Sequence, residues 1–181
     1  MKAVKKLLAA FLAGAMVLCL LTGCGGGKWA VNDANLARLM QQLENVQEEN
    51  SVEVEADAKV AAAMKDYIRS KGDVMEFDSV FLRDSAGRPY FSNDEQLLVV
   101  KALKDRGVET ERKEIELIYW KTDGLDLVGQ FFWSLREAIR VQVVPNFDRE
   151  KIWIGTATGK LKENGETANV RFLIYVYGAK A

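Results

Sequence analysis

The chain has 181 residues, 25 Lys and Arg against 26 Asp and Glu for a formal charge of −1, and 49% hydrophobic residues. That length and apolar content suit one domain with its own core and leave little room for two. The near-neutral charge argues against nucleic acid as a partner. The absence of histidine removes Ser-His-Asp triads, Cys-His dyads and histidine-ligated zinc sites.

Lys2, Lys5 and Lys6 precede an uncharged run from Leu7 to Leu21 that ends in Leu21-Thr22-Gly23-Cys24. Positive charge holds the extreme N-terminus on the cytoplasmic side while the apolar run enters the bilayer as a short helix. Small Gly23 lets a protease reach the bond, and the Cys24 thiol can carry a diacylglyceryl group as a thioether. The segment resembles the signal peptide and lipobox of bacterial lipoproteins. The resemblance covers residues 1–24. It implies removal of 1–23, acyl chains such as palmitate on Cys24, and attachment to a cell membrane or outer membrane facing the extracytoplasmic side. An uncleaved span of about 20 residues would close on Gly23, Gly25, Gly26 and Gly27, poor helix formers that serve better as a tether. Residues 24–32 are therefore read as lipidated cysteine and tether, and 33–181 as a single globular domain. With Cys19 removed and Cys24 modified, that domain is expected to fold without a disulfide.

From Asp33, the positions Leu36, Leu39, Met40, Leu43 and Val46 recur at helical spacing and predict a helix to about Gln47. Val60, Met64, Tyr67 and Ile68 predict a second, from about Ala56 to Lys71, stopped by Gly72. Val74, Phe77, Val80 and Leu82 lead into Asp84-Ser85-Ala86-Gly87 and Pro89-Tyr90-Phe91, a hairpin whose proline marks an edge strand. Ser92 with Glu95 is a capping-box pattern, opening a helix through Leu97, Leu98, Val100 and Leu103 to Gly107. Lys113 to Lys121 alternates through Ile115, Leu117 and Tyr119 as a half-buried strand does, and Asp123-Gly124 turns the chain. The four-residue step of Leu127, Phe131, Leu135 and Ile139 favours a helix over 126–139, followed by a strand from Val141 to Val144. Asn164-Gly165 between Lys151–Leu161 and Thr167–Tyr177 predicts a closing hairpin. The last strand is apolar on both faces, Val170, Phe172, Ile174 and Val176 against Leu173, Tyr175 and Tyr177, and is expected at the centre of its sheet.

These elements predict an α+β fold: a largely antiparallel sheet of about five to six strands, helices mainly on one face, and N-terminal helices preceding the sheet. Their order, though no motif, resembles extracytoplasmic sensor domains of the PAS/Cache type, and equally the NTF2-like and cystatin-like groups.

Three sequence features bear on chemistry. Glu44, Glu48, Glu49, Glu53, Glu55 and Asp57 form an acidic run without the alternating Asp/Asn ligands and glycine of a calcium loop, so no metal is assigned. Gly155-Thr156-Ala157-Thr158-Gly159-Lys160 has the look of a phosphate loop, but it is one residue short and carries Leu161 where Ser or Thr would hold magnesium. A glycine strand crossed closely by another element explains it better, and no cofactor is expected. The third feature is aromatic. Trp153, Tyr175 and Tyr177, with Arg171 on the strand face of Tyr175, are the candidate ligand-binding residues, and a helix covering that face is the alternative.

No catalytic residues are assigned. Two classes of function remain: a binding or interaction module of the cell envelope, whose partner is an envelope protein or a small molecule, or a carboxylate-dependent hydrolase of envelope material. The hydrolase would need two converging acids, drawn for instance from Glu114, Glu116 and Asp126. The PAS/Cache resemblance implies a small-ligand sensor as a variant of the first.

Overall fold

The computed structural model describes residues 33–45, 53–87, 89–123 and 149–179. In chain order these form α1 (Asp33–Asn45), β1 (Glu53–Ala56), α2 (Ala58–Ser70), β2 (Met75–Glu76), the single turn α3 (Phe77–Val80), β3 (Phe81–Arg83), β4 (Pro89–Phe91) and α4 (Asn93–Asp105). A 3-10 turn (Arg112–Glu114) then leads to β5 (Ile115–Lys121), β6 (Arg149–Glu163) and β7 (Glu166–Ala179). The predicted signal segment, Cys24 and its tether, and the elements expected over 126–144 lie outside the described residues. Among the described residues no helix is long and apolar enough to cross a membrane.

The closing hairpin organises the sheet. Asn164 and Gly165 have φ of 54° and 84°, the double positive φ whose twist joins two antiparallel strands tightly. β7 lies between β6 and β5 and pairs antiparallel with both, as its two apolar faces predicted. The outer edge of β6 pairs with β1 at one end and β2 at the other, and both of these run parallel to it. The fold is thus α+β, but its five-stranded sheet is mixed rather than largely antiparallel. The reason is β1. The sequence Glu-Val-Glu-Ala shows little of a strand, and its partner lies far along the chain, with Glu53 opposite Lys151. It also interposes a strand between the first two helices. The extended run expected at Val74–Leu82 is instead split by the α3 turn.

Alternation along β7 divides the core. Val170, Phe172, Ile174 and Val176 are buried with Val60, Met64 and Tyr67 of α2 and with Val99, Val100 and Leu103 of α4. Leu173, Tyr175 and Tyr177 are buried with Leu36, Ala37 and Met40 of α1. The β3–β4 hairpin closes over the first cluster, its Phe81 ring 4.5 Å from both Phe91 and Tyr119.

The helix ends follow their local chemistry. Asp57 caps α2 by accepting from the Lys59 N–H at 2.6 Å and the Val60 N–H at 3.2 Å. Ser92 Oγ accepts from the Glu95 N–H at 3.3 Å, but the reciprocal half of the capping box is not made. Glu95 instead turns inward, where Oε2 accepts from Tyr67 Oη at 2.6 Å and Oε1 from Lys71 Nζ at 2.6 Å. The residue expected to cap α4 therefore ties α4 to the end of α2. The false phosphate loop is resolved as well. A side chain at Gly155 would lie 2.7 Å from Ala61 Cα and 2.8 Å from Val60 C, so α2 crosses directly against the β6 backbone.

Candidate functional site

The four sequence candidates do not converge. Arg171, Tyr175 and Tyr177 share one face of β7, whereas Trp153 pairs with Val176 and packs with the opposite cluster. Tyr175 and Tyr177 are 0% and 6% exposed, covered on their face by residues of α1, and their rings stack at 6.3 Å. Tyr177 Oη donates to Glu116 Oε2 at 2.9 Å. The pair is wall rather than cleft. Arg171 is half-buried at the same face, and burial pulls its guanidinium below the usual value while the Asp33 charge opposes this. Asp33, the first residue of α1, accepts from Thr156 Oγ1 and so pins the helix start to β6.

Trp153 belongs to a charged ledge at the β1–β6 edge. Its ring lies against Gly178, where an added Cβ would sit 2.9 Å from Cζ3, and Lys151 Nζ is 5.9 Å from the ring centroid. Lys151 also reaches Glu55 at 2.7 Å and Glu53 at 3.5 Å. The hydrogen bond to Lys151 holds the Glu55 carboxyl below its ordinary value, and the same bond holds the lysine above its own. The acidic run is thereby distributed: two of its members share Lys151, and Asp57 caps α2.

The concave feature lies elsewhere, between α1 and β1. It is an open groove of about 430 Å³, lined on one side by Ala34, Ala37, Arg38 and Gln41 and on the other by Val54, Glu55 and Ala56. The small side chains lower its floor. Gln41 Oε1 accepts from the Val54 N–H at 2.5 Å, a side-chain amide occupying the place of a neighbouring strand. Glu55 apart, which the acidic run had marked, none of these residues carries a sequence signal of binding, because alanines on a helix and a cryptic edge strand become a groove only when the two are brought together.

Among its described lining residues the groove holds one carboxylate, Glu55, and no second acid beside it. Of the acids weighed for hydrolysis, Glu114 accepts from the Glu111 N–H at 2.7 Å, Glu116 is engaged by Tyr177, and Asp126 lies outside the described residues. Among the described residues no group of three or more His, Cys, Asp or Glu could hold a metal ion.

Two tyrosines give the fold a measurable alkaline limit. Burial first, then the Glu163 charge, pushes the Tyr119 phenol up to about 12, and burial with the Glu95 contact pushes Tyr67 higher still. A folded value above the unfolded one stabilises the native state fully below the unfolded value and fades as pH rises through the folded one. Stability is expected to fall as pH climbs above about 10, with these phenols ionising only near or during unfolding. Phenolate absorbance recorded alongside circular dichroism checks this, and a normal titration of every tyrosine in a folded protein would contradict it. Comparison of the chain with protein-family models, with curated proteins and with solved structures finds no match.

Proposed function

We propose that the protein is a lipid-anchored binding module of the cell envelope, held on the extracytoplasmic side of a membrane through Cys24 and engaging its partner at the α1–β1 groove. The observation that carries the anchor is the charged start, apolar run and Leu21-Thr22-Gly23-Cys24 in that order. The groove supports the second half of the reading, being concave, lined by small residues and placed on the first described helix after the tether. At ~3.3 Å per residue, a tether over 24–32 keeps α1 within ~30 Å of the bilayer. The partner would therefore be met close to the membrane surface.

Intact mass measurement of the membrane-extracted protein tests the anchor. The expected result is loss of residues 1–23 with a diacylglyceryl group on Cys24, and release of Cys24→Ala from the membrane fraction. An uncleaved, unlipidated chain that stays in the membrane would overturn it.

A further inference from the structure

We infer that the α1–β1 groove takes an extended acidic peptide segment, which adds as a strand to the outer edge of β1 and sets a carboxylate against Arg38. The inference rests on the binding-module reading and names the class of partner.

The backbone supplies the first argument. Asp57 N–H donates to Ile154 O at 2.9 Å, toward β6. In a parallel pair successive residues alternate between facing the partner and facing away. Glu55 and Glu53 thus face β6, and Val54 and Ala56 face outward. The Val54 N–H obeys this, because it meets Gln41 Oε1 on the far side from β6. The edge already accepts an amide from α1, and an incoming strand would continue the same pattern at the exposed Ala56. An added strand gains affinity from main-chain bonds and specificity from neighbouring side chains. Ala34 and Ala37 leave room for that second backbone.

Charge supplies the second. Glu53 and Glu55, the acids of β1, are both engaged by Lys151. Arg38 lines the groove on the opposite wall, exposed, and among the described residues no carboxylate pairs with it. Of the two charged residues that line the groove, Glu55 is held by Lys151 at 2.7 Å, which leaves Arg38 as the charge open to a ligand. With the Val54 N–H already taken by Gln41, Ala56 is the outward residue of β1 whose N–H the segment would meet, so main-chain bonds are few, binding is weak and discrimination falls to Arg38.

The test uses the full chain in detergent micelles, with a capped hexapeptide of alternating valine and glutamate and its valine–lysine counterpart as probes. The acidic peptide is expected to shift the Ala56 amide resonance and to bind about tenfold more tightly than the basic one. Arg38→Glu reverses that order, and Ala34→Trp, which fills the groove from an exposed position, abolishes both. Unshifted amides along β7 show that each variant is folded. Equal binding of the two peptides, no response to Arg38→Glu, or no movement of Ala56 overturns the inference. Lipidated Cys24 without peptide binding removes this inference alone, and peptide binding by an unlipidated chain removes the anchor alone.

Discussion

Gly155→Ala is expected to destabilise the protein by ~3 kcal/mol or more, at the upper end of what overpacking a core costs. The added methyl would meet the backbone of α2 at Val60 C and at Ala61 N and Cα, and backbone cannot swing aside as a side chain does. Relief requires α2 to lift from β6, which would loosen Val60 and Met64 in the core and draw Asp57 away from Ile154. Gly159→Ala is the internal control. There the new methyl meets Ile68 Cγ2 at 3.0 Å and Met75 Cε at 3.2 Å, side-chain rather than backbone atoms, the second at the end of a flexible chain. A cost of ~1 kcal/mol is expected. Urea unfolding of the two variants separates them, and equal midpoints would show that the α2 crossing is not held against the strand.

Glu95→Ala should produce the other large loss. Glu95 is 7% exposed and answers two donors, Tyr67 Oη of α2 at 2.6 Å and, from the residue just after α2, Lys71 Nζ at 2.6 Å from one oxygen and 2.5 Å from the other. Removing it strands a buried phenol and deprives a half-covered ammonium of its counter-charge. Breaking a buried pair from one side costs ~3–5 kcal/mol. Because Lys71 can turn toward water, a figure near ~3 kcal/mol is expected here. Tyr67→Phe removes one neutral donor and should cost ~1 kcal/mol. Combined with Glu95→Ala it should cost little more than Glu95→Ala alone, because the phenol is no longer left unsatisfied. Strict additivity in thermal unfolding of the three variants would sink the shared-network account.

The capping pattern at Ser92 shows how far local sequence reaches. Ser92 does cap α4, because a hydroxyl two or three residues from the N–H groups it serves is a local matter. Glu95 departs from its local role because Tyr67 and Lys71, distant in sequence, offer it buried hydrogen bonds that the exposed reciprocal contact cannot match. The same division runs through the fold. The Asn164-Gly165 turn, the central position of β7 and the amphipathic helices were legible, since each is written in neighbouring residues. β1 was not, because Glu53–Ala56 becomes a strand only against Lys151–Ile154.

The candidate site was less legible still. Tyr175 and Tyr177 drew notice as aromatics and proved to be core, while Trp153 stands on the other face because its partner is Val176. The groove's alanines are invisible to a search for reactive or aromatic side chains. Their smallness is what matters, and only the placement of α1 beside β1 gives smallness a meaning.

Among the described residues, all pairing within the main sheet involves β6 and β7: β1 and β2 on β6, β5 on β7, and these on each other. A chain delivered N-terminus first, from a ribosome or through a membrane channel, therefore presents β1, β2 and β5 before the strands they pair with. Its early helices can flicker but have no floor to rest on. Completion waits for the final hairpin, which is local and quick to close, whereas the pairing of Glu53 with Lys151 must span a long loop. Among the described strands the main sheet thus waits on Arg149–Ala179, and a nascent chain halted before Arg149 should stay more open to protease than one extended past Ala179.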